Sequence, residues 1–202
     1  MHLTRLQLDL RSAQARRDMA DPYDMHRTLV RAFVQGEAQT PPRFLWRLEP
    51  ENILREPSVL VQSIHSVQWS VLEAMPNYLK RPVETKRVQL DTLIQTQARY
   101  RFRLFANPTV TRAGKRYGLL SEDVQLDWLK RQGQRLGFDV EAALVTGSEV
   151  LKSHGKSIHV QRANFEGVLQ VTDAQALASA VQDGIGPAKA FGCGLFSLAR
   201  LR

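Results

Sequence analysis

The sequence holds a single cysteine, Cys193, in 202 residues. One thiol closes no intrachain disulfide and supplies no cysteine-rich zinc module, so neither oxidative stapling nor a metal knuckle is expected. No stretch approaches the roughly 18 apolar residues of a membrane-crossing helix. Met1-His2-Leu3-Thr4-Arg5 opens the chain without the apolar core of a secretory signal. A cytoplasmic protein with no membrane partner is therefore expected. Metal-ligand spacing is also missing: His154 and His159 have no acid or cysteine placed to join them, which assigns them to the surface or to a binding face. Neither a metal nor a small-molecule cofactor is implied. Acid is the last shortage, because 20 Asp and Glu face 28 Lys and Arg for a net charge of +8. Such a charge says nothing of fold but favours a polyanionic partner.

Glycine, by contrast, is concentrated in one place. Gly184-Ile185-Gly186-Pro187-Ala188-Lys189-Ala190-Phe191-Gly192-Cys193-Gly194 runs into the apolar Leu195-Phe196-Ser197-Leu198-Ala199. A backbone free to take positive φ can aim several N–H groups at one anion, and Lys189 adds a mobile positive charge to the same concavity. The order is not that of a P-loop, since Ala190 follows Lys189 where Ser or Thr is needed, and it is not a dinucleotide fingerprint. Taken alone, the loop reads first as a tight helix-to-strand connection and second as an anion cradle. Cys193 fits there as a small side chain; a thiol nucleophile is the lesser alternative, with no base assigned to it.

From the N-terminus, Leu6, Leu8 and Leu10 alternate with Gln7 and Asp9, the period of a half-buried strand. A basic connection from Arg11 to Arg17 leads to Asp21-Pro22-Tyr23-Asp24, in which cap, N1 proline and first-turn acid start a helix running to about Val34. On it Tyr23, His26 and Arg27, at i, i+3 and i+4, share one face near the positive end of the helix dipole. An imidazole moves protons near neutral pH, a guanidinium holds phosphate oxygens, and a phenol orients a sugar or the imidazole. The plain alternative is a packed tyrosine, a solvated histidine and an arginine paired with an acid. Phe44 to Leu48 and Val59 to Ile64 read as strands, Trp69 to Met75 as a short helix, and Pro76 to Glu84 as the inter-domain linker. Thr85 to Leu90 supplies the last strand of a first ferredoxin-like domain over residues 1–90.

The second domain, residues 91–202, begins with Arg99-Tyr100-Arg101-Phe102-Arg103-Leu104-Phe105. Strict alternation makes one face core and lines the other with guanidinium groups, which suits a solvated face and a polyanion contact equally. A basic loop from Thr111 to Gly118 carries Arg112, Lys115 and Arg116, and Lys152 and Lys156 bracket a second basic turn before Ile158 to Val171. Ser121 starts a helix with Val124, Leu126, Trp128, Leu129 and Leu136 that stops at Gly137; a turn is expected near Gly147. Thr172-Asp173 caps a last helix, ended by Gly184. The pattern is α+β, two tandem ferredoxin-like (RRM-like) βαββαβ domains.

Three of these segments together resemble the CasE-type endoribonucleases that process CRISPR repeats. The glycine loop is similar to their signature order, with Gly184 and Gly186, then Lys189, then Gly192 and Gly194 before Leu195. Asp21-Pro22-Tyr23-Asp24-Met25-His26-Arg27-Thr28-Leu29 resembles their catalytic segment, and Leu104-Phe105-Ala106-Asn107-Pro108-Thr109 is similar as well. The resemblance covers essentially the whole chain. It implies the catalytic His role for His26 and its Tyr partner role for Tyr23. It also implies metal-independent cleavage at the 3′ base of a CRISPR repeat stem-loop, and the other subunits of the Cascade surveillance complex as partners. Expected RNA contacts are Arg27 and Arg31 on the helix, the basic residues Arg99, Arg101, Arg103, Arg112, Lys115, Arg116, Lys152 and Lys156, and Gly184, Gly186, Lys189, Gly192 and Gly194 of the loop. Arg101 and Arg103 stand where an RNA recognition motif would place stacking aromatics, so phosphate contact and stem shape are the expected mode of binding. The alternative is a non-catalytic subunit holding processed RNA in a larger assembly.

Overall fold

The computed structural model describes residues 1–34, 36, 39–49, 56–152 and 159–201, with Lys152 described in its backbone alone. Two compact units emerge, one of Met1–Val88 together with Ala190–Gly192, the other taking most of the chain from Gln89 onward.

In the N-terminal unit the elements are β1 (His2–Gln7), α1 (Ala13–Ala20), α2 (Pro22–Val30), β2 (Phe44–Leu48), β3 (Ser58–Ser63), α3 (Ser70–Glu73) and β4 (Glu84–Arg87). The sheet order β2-β3-β1-β4, antiparallel throughout, is that of a ferredoxin-like domain. Leu6 and Leu8 are buried with Met25 and Leu29 of α2 and with Trp46, Val59 and Val61 of the sheet. Leu10, expected on the same face, is 46% exposed, because β1 ends at Gln7 and the chain turns away.

Helix α1 occupies most of what the sequence presented as a basic connection. Its Ser12 cap accepts the Ala15 N–H, Arg16 and Arg17 stay exposed, and its buried residues are only Ala15 and Asp18. A buried stripe of one methyl and one carboxylate leaves no apolar periodicity to read. Asp18 is satisfied by the Tyr78 hydroxyl at 2.8 Å and the Gln14 amide at 2.7 Å. That pairing also corrects the assignment of Pro76 to Glu84 as an inter-domain linker. Tyr78 is 1% exposed and its carbonyl accepts the Asp9 N–H at 3.0 Å, so the stretch is internal to the unit and delivers β4 to β1.

The C-terminal unit opens with a short helix α4 (Leu90–Leu93), followed by β5 (Arg99–Ala106), β6 (Thr109–Arg112), β7 (Lys115–Gly118), α5 (Glu122–Leu136), β8 (Phe138–Lys152), β9 (His159–Val171), α6 (Ala174–Asp183) and β10 (Phe196–Arg200). Its main sheet runs β10-β5-β9-β8, the same ferredoxin-like order again. Tyr100, Phe102 and Leu104 of β5 are buried, and the Phe196 ring meets Phe102 at 5.6 Å and Phe138 at 5.3 Å. Gly137 ends α5 at φ 81 and ψ 32, the left-handed cap expected of it.

Two expectations change here. The basic segment from Thr111 is a hairpin, β6 against β7, closed through Ala113 and Gly114 at φ 47 and 75. Positive φ at both central positions gives the tight turn whose twist suits a two-residue hairpin. Gly147 lies inside β8 rather than at a turn, at a register shift between Val145 and Gly147. The extra residue of such a bulge is absorbed without ending the strand.

Candidate active site

Helix α2 is built to hold one face steady. The Asp21 carboxylate, 5% exposed, accepts the Tyr23 N–H at 2.9 Å, while its own N–H donates to the Arg17 carbonyl at 3.1 Å. One residue thus caps α2 and closes α1. Pro22 sets the first helical φ. Behind the helix, Met25 and Leu29 enter the core, where the Met25 sulfur lies 3.9 Å from the Tyr78 hydroxyl. Burial, then the adjacent Asp18 carboxylate, pushes that hydroxyl above its ordinary pKa, so it remains a donor.

His26 projects from this fixed helix at half burial. Its ring stacks on Phe44 of β2, with centroids 5.2 Å apart and planes 16° apart. Phe44 stacks in turn on Phe33 at 4.2 Å, and the Phe33 ring meets the edge of Trp69 at 5.9 Å. The imidazole Nδ1 is buried with no hydrogen-bond partner, leaving Nε2 as the nitrogen that can meet a substrate. Burial lowers the His26 pKa below the ordinary 6.5. Burial opposes the charged imidazolium, and a neutral ring with Nε2 free to accept carries its single N–H on Nδ1. Tyr23 lies one turn back, with the Arg27 guanidinium 5.9 Å from its ring centroid.

The lowered pKa fixes a sign. The native state binds fewer protons at His26 than the unfolded chain, so this group's contribution is whole above about pH 6.5 and is lost as pH falls through the folded-state value. Thermal unfolding followed from pH 8 to 5 is expected to show a steeper loss of Tm for wild type than for His26→Gln, whose side chain does not titrate there. Parallel curves would mean that His26 is not held neutral.

The other expected contacts separate into groups. Arg27 and Arg31 are exposed and line a cleft of about 1400 Å³ to which His26 does not contribute. Arg99 and Arg103 are committed to the sheet, the first bonded to Glu141 at 2.6 Å and the second to Glu166 at 2.9 Å. Arg101 is exposed between them. Arg112 and Lys115 stand directly opposite each other across the hairpin turn, both exposed. Like charges so placed are destabilising unless an anion joins them. Lys156 lies outside the described residues, as does His154; the side chain of Lys152 is not described.

The glycine loop takes positive φ at Gly184, Gly186, Ala188, Gly192 and Gly194. Lys189 turns inward, its ammonium donating to the Gly186 carbonyl at 2.7 Å, and the Gly194 N–H donates to the Phe105 carbonyl at 2.6 Å. Gly186 faces Trp128 so closely that a Cβ would stand 3.3 Å from the indole. Gly192, counted with the N-terminal unit, leaves only 3.1 Å between such a Cβ and Trp46. Arg116 reaches a second groove, about 380 Å³, shared with Gly184, Gly186, Gln132 and Arg135. Cys193 is fully buried, and burial pushes its thiol up to about 12, which leaves it a small core side chain. Among the described residues no group of three or more His, Cys, Asp or Glu is arranged to hold a metal ion.

Phe44, Arg17, Gln132 and Arg135 belong to these surfaces without having been singled out from sequence. Phe44 carried only a strand signal, and the arginines sat in a supposed connection and on a helix read for its apolar face.

The sequence model of a family described as CRISPR associated protein matches residues 1–200. The chain is 36% identical over 215 residues to the CRISPR-associated endoribonuclease Cse3 of Thermus thermophilus, covering 98% of this chain and 100% of that one. It is 33% identical over 195 residues to the CRISPR system Cascade subunit CasE of Escherichia coli, covering 90% and 93%. A solved structure of Cse3 bound to 19-nt RNA superposes with a TM-score of 0.86 at 35% identity, covering 98% of this chain and 100% of that one.

Proposed function

This chain belongs to the family of CRISPR-associated proteins, in its CasE-type branch, and from that premise we propose that it is an endoribonuclease that binds the stem-loop of CRISPR repeat RNA and cuts at its 3′ base. RNA brings its own nucleophile, the 2′-OH beside the scissile phosphate. The 2′-oxygen attacks phosphorus and the P–O5′ bond breaks, leaving a 2′,3′-cyclic phosphate and a 5′-hydroxyl. One proton leaves the 2′-OH and one is taken up by the departing 5′-oxygen, so the protein need only move protons and offset charge.

The observation that carries this reading is the half-buried imidazole of His26, stacked on Phe44 from a helix capped by Asp21, with burial lowering its pKa. A general base must be unprotonated at working pH, and burial keeps it so. His26 therefore takes the 2′-OH proton through Nε2, Tyr23 orients the ribose, and Arg27 offsets charge on the phosphorane. Arg112, Lys115 and Arg116 of the hairpin contact stem phosphates; among the described residues no acid is ion-paired with them, which favours an anion there. Arg101, Lys152, Lys156 and the glycine loop complete the RNA surface, and the processed hairpin stays with the protein among other Cascade subunits.

The test is incubation of wild-type protein with a labelled repeat hairpin in EDTA. One cut ending in a 2′,3′-cyclic phosphate is expected. Cutting only after magnesium is added would overturn the chemistry. Tight binding without cutting in either buffer, over several repeats, would make the chain an RNA-holding subunit.

A further inference from the structure

Successive residues of a helix turn by about 100°, so α2 has a second working side. The His26 ring faces Phe44, whereas Asp24, Arg27, Thr28 and Arg31 line the cleft of about 1400 Å³, as does Arg17 of α1. That volume exceeds the roughly 300–1,000 Å³ of a site for one small molecule. Its charged lining is mainly positive. Among the described residues none of Arg17, Arg27 and Arg31 is in an ion pair, and Arg27 and Arg31 form an i, i+4 like-charge pair that weakens an isolated helix. Its apolar lining comes from Val30, Phe33, Val67 and Val71 with Pro41 and Pro42.

This combination selects among nucleic acids. An A-form duplex shows phosphates and sugars but keeps its base faces stacked inside, so it has nothing to lay on an apolar lining. Unpaired nucleotides offer base faces and phosphates together, the pair of features that single-strand grooves use. Arg27 follows His26 directly, so a strand leaving the scissile phosphate enters the cleft by crossing one helix.

We propose that this cleft is the path of an unpaired RNA segment flanking the cleaved stem, with phosphates on Arg17 and Arg31, bases on the Val71 side, and Arg27 at the entrance beside the scissile phosphate. The assignment rests on the RNA-processing function above. It makes Arg17 and Val71 determinants of flank binding, apart from the chemistry.

Fluorescence anisotropy tests it with three repeat RNAs blocked by a 2′-deoxy sugar at the scissile site: a blunt hairpin, one with an unpaired 5′ tail and one with an unpaired 3′ tail. Wild type is expected to bind one tailed RNA more tightly than the blunt hairpin. Arg17→Ala should remove about three- to tenfold of that gain, one phosphate contact, and flatten the log K against log salt slope by about 0.7. Val71→Glu, at a position 40% exposed and so tolerant of change, should abolish the gain by placing a carboxylate among the apolar lining residues. Both variants should hold the blunt hairpin as wild type does. Tight blunt binding without any tail gain, or equal losses on blunt and tailed RNA, would overturn the cleft assignment alone. Failure of wild type to hold the blunt hairpin would sink the RNA-processing function and the cleft with it.

Discussion

His26→Ala is expected to lower the single-turnover rate of hairpin cleavage by roughly two to four orders of magnitude, the usual worth of a positioned general base, while changing affinity for the hairpin by less than about twofold. The asymmetry follows from where the ring sits. His26 is half-buried and its Nδ1 makes no bond, so it contributes one reachable nitrogen and no charge to hold RNA phosphates. On the function proposed above, affinity would rest on the exposed cations, above all Arg112 and Lys115, which stand opposite each other on the hairpin. Removing the imidazole also opens space against Phe44, whose other neighbour, Phe33, remains stacked at 4.2 Å. Folding should survive for that reason, and circular dichroism checks it. A variant that binds normally and still cuts at more than a tenth of the wild-type rate would remove His26 from the chemistry. Tyr23→Phe supplies the contrast: it keeps the ring beneath the Arg27 guanidinium and loses only the hydroxyl.

The helix that carries His26 was open in the sequence because each step is local, whereas the role assigned to His26 came from the resemblance and not from the spacing. Asp21, Pro22 and the acid at 24 fix where the helix begins, and helical spacing then places Tyr23 and His26 on one face. Alternation in β1 and β5, and the caps at Asp173 and Gly137, are local in the same sense, so the two ferredoxin-like units could be drawn in order. What depends on pairing was closed. Arg99 and Arg103 look unopposed along β5, because the acids that meet them, Glu141 and Glu166, arrive from β8 and β9. The β6–β7 hairpin turns on Ala113 and Gly114, and an alanine at φ 47 announces no turn. Helix α1 hides its contribution in one buried carboxylate whose partner, Tyr78, lies 60 residues away.

The Phe44 ring, 18 residues from His26, was closed to reading for the same reason, and it carries the second large effect. Phe44 is 6% exposed, so Phe44→Ala removes a buried ring from between His26 and Phe33 and is expected to cost about 3–5 kcal/mol of stability. Water then reaches the face of the imidazole that the ring had covered. Desolvation is what lowers the His26 pKa, so its loss lets the value rise toward the ordinary 6.5. At high pH the base is unprotonated in both proteins and the cleavage rates should converge, provided the variant is assayed below its melting range. As pH falls, the variant protonates first, and its rate should drop at a higher pH than that of wild type. Phe44→Leu separates this from simple loosening of the unit, since leucine gives up the stack but keeps apolar cover over the ring. Its acid limb should stay near that of wild type even as Tm falls. If Phe44→Leu and Phe44→Ala shifted the limb equally, the stack and not the exclusion of water would be what holds His26 neutral. If neither shifted it, Phe44 would serve packing alone, and some other wall would be keeping the proton off the imidazole.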